Sequence, residues 1–190
     1  MVAPARQRFT FAEYLALEEI AAVRHEFLAG NVWAMAGGSP EHAAIAANVI
    51  ALLAAQLRDR RCRVFTADLR IRVTATGLGT YPDVTVVCGQ LARDPDDPRG
   101  NTVVNPTLLV EVLSPSTEDY DRGEKLAHYK RIDSLAEVIL VAHDEPRLEI
   151  WRRQGDHWTL DVVHGDATAH LTSLDVELSV ADVYRDPLAP

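Results

Sequence analysis

The sequence predicts an α/β or α+β fold, with a mixed central sheet and helices against it. Three observations support this. Two helix starts are plainly encoded, at Thr10-Phe-Ala-Glu13 and at Ser39-Pro40. Short β-rich apolar runs recur at residues 83–88, 107–113 and 137–142. The elements also alternate, in the order helix, hairpin, helix, strands, helix, strands. No repeat, low-complexity tract or linker divides the chain, so residues 1–190 are expected to form one domain with a sizeable core.

Taken in order, Thr10 and Glu13 make a capping box and open a helix over residues 11–20. Residues 24–29 and 31–36 flank Gly30 and read as a β-hairpin. Ser39 as N-cap and Pro40 as first residue open a long helix over residues 40–60. Ile45, Val49, Leu52, Leu53 and Gln56 mark its inward stripe, and His42 lies one turn earlier on the same stripe. Residues 64–66 and 69–73 are strands, and the alternation in the second puts Arg70 and Arg72 on one face. Residues 74–80 read as a loop. The acidic, proline-rich segment 94–100 reads as a mobile loop. A helix is expected from Thr117 to about Arg131, with Leu126 and Tyr129 buried. Residues 148–151 and 158–163 form a second hairpin. The tail from Ser173 is expected to be irregular, with a short helix at residues 180–184.

Composition is that of an ordinary water-exposed globular chain, 47% hydrophobic and 25% charged. The first eight residues hold Pro4, Arg6 and Arg8 and no apolar h-region, so no secretory signal is expected. The longest uncharged apolar run, residues 43–57, is too short to span a bilayer. Cys62 and Cys88 have no metal-ligand spacing; they read as buried thiols in a reducing cytoplasm, with no disulfide. The net charge of −9 argues against bulk affinity for nucleic acid. Arg58, Arg60, Arg61, Arg63, Arg70 and Arg72 cluster locally, and read as a solvated surface rather than a DNA patch.

Glu111 is the residue that does not fit a plain core. It sits in the middle of Thr-Leu-Leu-Val-Glu-Val-Leu, a strand buried on both faces. An ionised carboxylate there is costly unless a cation, a basic side chain or an open cleft meets it. Asp83 is its natural companion, because Pro82 places Asp83 at a strand start near a sheet end. Two converging carboxylates repel, and a hard divalent ion such as Mg²⁺ or Mn²⁺ relieves that repulsion. Spacing alone reads Lys125 as an i,i+4 partner of Asp121 and Tyr129 as core.

Pro82-Asp83 followed by Glu111 in an apolar strand resembles the core motif of the PD-(D/E)XK nuclease superfamily. Asn-Pro-Thr-Leu-Leu-Val-Glu-Val-Leu-Ser-Pro-Ser-Thr, then Asp121-x-x-x-Lys125 and Tyr129, is similar to a small bacterial restriction-endonuclease family, formerly a domain of unknown function. The similarity continues through His25-Glu26-Phe-Leu-Ala-Gly30 and Ser39-Pro-Glu-His42, and so runs from about Phe9 to Val163.

The resemblance implies a restriction-endonuclease-like core and a metal-dependent endonuclease that hydrolyses DNA phosphodiester bonds. Asp83 and Glu111 would hold Mg²⁺ or Mn²⁺. Lys125 would act on the attacked phosphate or the nucleophilic water. The superfamily's usual lysine position is Leu113 here, and Lys125 is its substitute from the following helix. Glu26 and His42 are second-rank candidates, Glu26 to extend the metal shell and His42 to hold a carboxylate or a water; Asp68 is weaker. A homodimer in the cytoplasm is the implied state, with the Trp151 and Trp158 hairpin as a subunit contact. Two alternatives stand beside this: a non-catalytic binding module that keeps the nuclease fold, favoured by the acidic balance and Leu113, and an RNA nuclease.

Overall fold

The computed structural model describes residues 8–185. The reading of the first eight residues as lacking a leader therefore falls almost wholly outside the described residues. In chain order the elements are α1 (Phe11–Ile20), β1 (His25–Leu28), β2 (Asn31–Ala34), α2 (Pro40–Gln56), β3 (Cys62–Thr66), β4 (Arg70–Val73), β5 (Leu78–Thr80), β6 (Val84–Cys88), β7 (Thr102–Val103) and β8 (Leu108–Val112). There follow α3 (Glu118–Tyr120), a π turn (Asp121–Lys125), α4 (Leu126–Tyr129), β9 (Glu137–Val141), β10 (Arg147–Gln154), β11 (His157–His164), β12 (Thr168–Leu171), β13 (Val176–Ser179) and α5 (Val180–Val183).

The fold is the mixed α+β arrangement read from the sequence. A six-stranded sheet runs β11-β10-β9-β8-β6-β3, and only its β8–β9 pair is parallel. A second, five-stranded sheet runs β2-β1-β5-β4-β7, and β12 pairs with β13. Strands β8 and β9 sit at the centre of the large sheet, so both their faces are covered. This explains their unbroken apolar runs. One face, with Val84, Val86, Leu108, Val110 and Val112, packs against Val49 and Leu53 of α2. The other, with Val87, Leu109 and Leu113, packs against Leu126 and Tyr129. Glu111 shares the parity of Leu109 and Leu113, so it faces the second layer.

Both helix starts form as read. Thr10 and Glu13 make the reciprocal capping box, and Ser39 caps α2 with Pro40 in its first turn. Several expectations are corrected. The helix expected over residues 117–131 forms over residues 118–129, but with a five-residue π turn, Gly123 at its middle, between α3 and α4. The loop over residues 74–80 contains β5, which inserts between β1 and β4. The segment over residues 94–100 is tied down rather than free. Arg72 pairs with Asp94 at 2.9 Å, and Asp97 accepts from Thr102 Oγ1 at 2.7 Å. The chain beyond Ser173 forms β13 before α5, and buried Glu137 holds its entry by accepting from the Thr172 and Ser173 backbone N–H groups.

Two readings about side chains also change. Arg58, Arg61 and Arg63 are exposed as expected, but Arg70 is buried and donates to Tyr81 Oη (2.8 Å) and Thr102 Oγ1 (3.2 Å). Cys62 and Cys88 are not thiols. They form a disulfide, standing directly opposite each other in the β3–β6 ladder. Nothing in a 26-residue separation reveals that pairing. It removes the argument for a reducing compartment that free thiols carried.

Candidate functional site

Asp83 precedes β6 by one residue, and Val84 pairs with Val110 of β8. One step further along the same antiparallel register, Asp83 stands opposite Glu111. Residues directly opposite in such a pair point to the same face, so the two carboxylates converge. Asp83 Oδ2 accepts the backbone N–H of Val112 at 2.7 Å, which fixes its side chain at the sheet end. His42, in the first turn of α2, brings Nε2 to 3.3 Å from the same oxygen. The Asp83 hydrogen bond raises the His42 pKa above its ordinary value, against the opposing effect of partial burial.

Glu111 is 4% exposed. Its Oε1 accepts from Tyr129 Oη at 2.5 Å and lies 3.0 Å from Lys125 Nζ. Burial pushes its pKa up to about 8; Lys125 and the Tyr129 hydroxyl oppose this, while Asp83 and Asp121 add to it. Lys125 is itself buried, at the end of the π turn. Its ammonium reaches Glu111, Asp121 (3.1 Å) and Glu26 (3.2 Å). Burial would lower its pKa, but the facing carboxylates override burial and hold it well above the ordinary lysine value.

Glu26, on β1, accepts a hydrogen bond on each carboxylate oxygen. Oε1 accepts from Thr80 Oγ1 at 2.5 Å and Oε2 from Tyr120 Oη at 2.9 Å. The same Oε1 also lies 3.2 Å from Lys125 Nζ, so Glu26 helps hold that ammonium. By contrast, Asp83 Oδ1 and Glu111 Oε2 accept no hydrogen bond among the described residues. All five candidates, Glu26, His42, Asp83, Glu111 and Lys125, line one cleft of about 660 Å³. Asp68 stays outside, paired with Arg24 at 3.0 Å on the surface.

Sequence reasoning underrated three contributors. Tyr129 is core by packing, yet its hydroxyl is bonded to Glu111; a buried tyrosine normally needs such a partner, which is the signal that was available. Asp121, read only as a helical neighbour of Lys125, is a buried member of the cluster. Trp33 stands opposite Glu26 in the β1–β2 register and lines the cleft, which no local pattern announces.

The comparisons with known proteins agree with this architecture. Residues 11–181 match the Uma2 family, described as "Putative restriction endonuclease", and the chain belongs to that family, of the PD-(D/E)XK restriction-endonuclease kind. Two proteins of Synechocystis sp. (strain ATCC 27184 / PCC 6803 / Kazusa), "Uncharacterized protein slr1290" and "Uncharacterized protein sll1609", are each 33% identical to it. The first match covers 91% of this chain and 90% of that protein, the second 87% and 93%. A solved structure from Anabaena variabilis ATCC 29413, titled as "a putative nuclease belonging to DUF820", has the same fold. Its TM-score is 0.75 at 22% identity, over 93% of this chain and 97% of that one. Family membership supports a nuclease function. No helix among the described residues is long and apolar enough to cross a membrane.

Proposed function

We propose that the chain is a metal-dependent endonuclease that hydrolyses DNA phosphodiester bonds. The observation that carries this is the pair Asp83 and Glu111, set opposite each other with one open carboxylate oxygen apiece. Around them, four carboxylates (Glu26, Asp83, Glu111, Asp121) share one cleft with a single buried ammonium. With Glu111 ionised, the negative charge exceeds what Lys125 can balance, and a bound cation both offsets it and favours that ionised form.

The donor set fits a hard divalent ion. No group of three or more His, Cys, Asp or Glu among the described residues would hold a metal unaided. Mg²⁺ does not require one, since it is commonly held by one or two carboxylates and completes its shell with waters and substrate phosphates. Mn²⁺ accepts the same oxygens. When bound, such an ion supplies Lewis acidity toward a phosphate oxygen and a water activated at neutral pH.

The chain's own residues supply position and charge. Val112 N–H and His42 fix Asp83. Tyr129 and Lys125 fix Glu111 through Oε1 and leave Oε2 without a hydrogen bond among the described residues. Glu26 and Asp121 hold the Lys125 ammonium where a phosphate brought to the two carboxylates develops charge. Water adds its hydroxyl to phosphorus, the P–O bond to the leaving sugar breaks, and the water proton ends on that leaving oxygen.

The test is cleavage of varied duplex and single-stranded DNA with Mn²⁺ or Mg²⁺, and with EDTA. Cutting that requires the ion and disappears in Glu111→Gln supports the reading. A Glu111→Gln protein that binds Mn²⁺ and cuts like the parent contradicts it.

A further inference from the structure

The cleft has two unlike walls. Its acidic end is the cluster already described. Most of the remainder is apolar, with Trp33 and Met35 from the β2 side and Ala43, Ala46, Ala47 and Ile50 of α2. Ala43 and Ala47 are exposed one helical turn apart and present only methyl groups. Trp33 is tied to the acidic end twice over. It is the cross-strand partner of Glu26, so both side chains leave the hairpin on one face. Its ring also meets the Tyr120 ring edge-on at 6.4 Å, and Tyr120 donates to Glu26.

Charge decides what this wall can receive. The cleft carries four carboxylates against Arg24 and Lys125, and Arg24 is already paired with Asp68. A duplex would present two phosphate backbones to it, and its stacked bases would offer no free π-face. An unstacked base is uncharged and planar, and it stacks on an aromatic ring whatever its identity. Mostly apolar lining with a few polar groups at one end is also the make-up of a site that encloses a small planar group.

We propose that the Trp33–α2 slot receives one unstacked nucleobase next to the scissile phosphate, making a single-stranded or locally melted DNA segment the substrate. This rests on the nuclease reading for its phosphate. The base stacks on the Trp33 indole while the alanine face of α2 leaves room for its other side. Extruding a base to reach an active site is a known solution to the same geometric problem.

The test is equilibrium binding of a short labelled oligo-dT strand, and of a blunt hairpin duplex, to the whole chain in Ca²⁺, read by fluorescence anisotropy. The strand is expected to bind more tightly than the duplex. Trp33→Ala is expected to weaken strand binding by roughly 5- to 100-fold, the loss of one stacking contact, while Trp33→Phe keeps most of it. Ala47→Leu narrows the slot from an exposed helix position where leucine is well tolerated. It should weaken strand binding too, and it decides the matter if Trp33→Ala fails to fold. Equal affinity for strand and duplex, no binding of either, or unchanged strand binding in both Trp33→Ala and Ala47→Leu overturns the slot. The two readings fail separately. Trp33-dependent strand binding by a chain that never cuts DNA keeps the slot and refutes the nuclease. Duplex cleavage by Trp33→Ala at the parent's rate keeps the nuclease and refutes the slot.

Discussion

Lys125 is the side chain on which the folded cluster and the proposed chemistry both depend. Its ammonium is the only buried cation touching Glu26, Glu111 and Asp121 among the described residues. Removing it leaves three buried carboxylates uncompensated, so Lys125→Met should lower stability by about 3–5 kcal/mol in a chemical denaturation series. Added Mn²⁺ should recover part of that loss, because the ion binds only the folded site. In activity assays Asp83→Ala and Glu111→Gln should each abolish cleavage, and Lys125→Ala should slow turnover with Mn²⁺ binding largely kept. The double variants should be no worse than the singles, since the residues act as one unit. Strict additivity would contradict a shared site. The acids were legible in the sequence because a glutamate inside Leu-Leu-Val-Glu-Val-Leu conflicts with its surroundings. Tyr129 was legible only as a buried aromatic whose hydroxyl needs a partner; which partner it finds, Glu111, depends on how α4 packs on the sheet.

At the scale of elements, the N-terminus of α2 and the loop before it set the Asp83 side of the site. A Cβ on Gly38 would lie 2.7 Å from His42 Nδ1 and 3.0 Å from its Cγ, whereas one on Gly37 would meet nothing within 4 Å. Gly38→Ala should therefore displace the His42 ring, weaken Mn²⁺ binding measured by calorimetry and slow cleavage. Gly37→Ala should leave both unchanged. Equal behaviour of the two variants would show that His42 does not position Asp83. The acidic segment before β7 has its own electrostatic role. Burial would raise the Asp97 pKa, but hydrogen bonds from Thr102 and the Arg99 N–H, with Arg70 nearby, hold it below the ordinary value. A depressed folded pKa contributes stability that is fully present above the unfolded pKa. That stability is lost as pH falls through the folded pKa. Asp97→Asn should destabilise the chain by about 1–3 kcal/mol at neutral pH and by less in acid. The π turn and β5 escaped sequence reading for a related reason. Each is defined by its place among neighbours, and within the π turn it is Asp121 and Lys125 that are buried.

For the whole molecule, the large sheet is the frame that makes the site. Its antiparallel β6–β8 pair sets Asp83 against Glu111, and the parallel β8–β9 pair buries that meeting point under the π turn and α4. The disulfide joins β3, an edge strand, to β6 at the end away from Asp83. Closing a 26-residue separation, it should contribute about 3 kcal/mol. A Cys62→Ala, Cys88→Ala double variant should unfold at lower denaturant by that amount and still bind Mn²⁺. Loss of metal binding would mean that the edge strand supports the site directly. The fold class and the opposed acids could be read because they depend on strand patterns and one proline. The disulfide and the apolar wall could not, because they depend on register and on which faces meet.

All of this rests on Asp83 and Glu111 sharing one cation. A crystal of the protein soaked in Mn²⁺, with anomalous differences collected at the manganese edge, tests that most directly. The expected result is a peak within about 2.0–2.6 Å of both Asp83 Oδ1 and Glu111 Oε2. A map with no peak between these two oxygens, or with manganese bound elsewhere while both stay free, would contradict it.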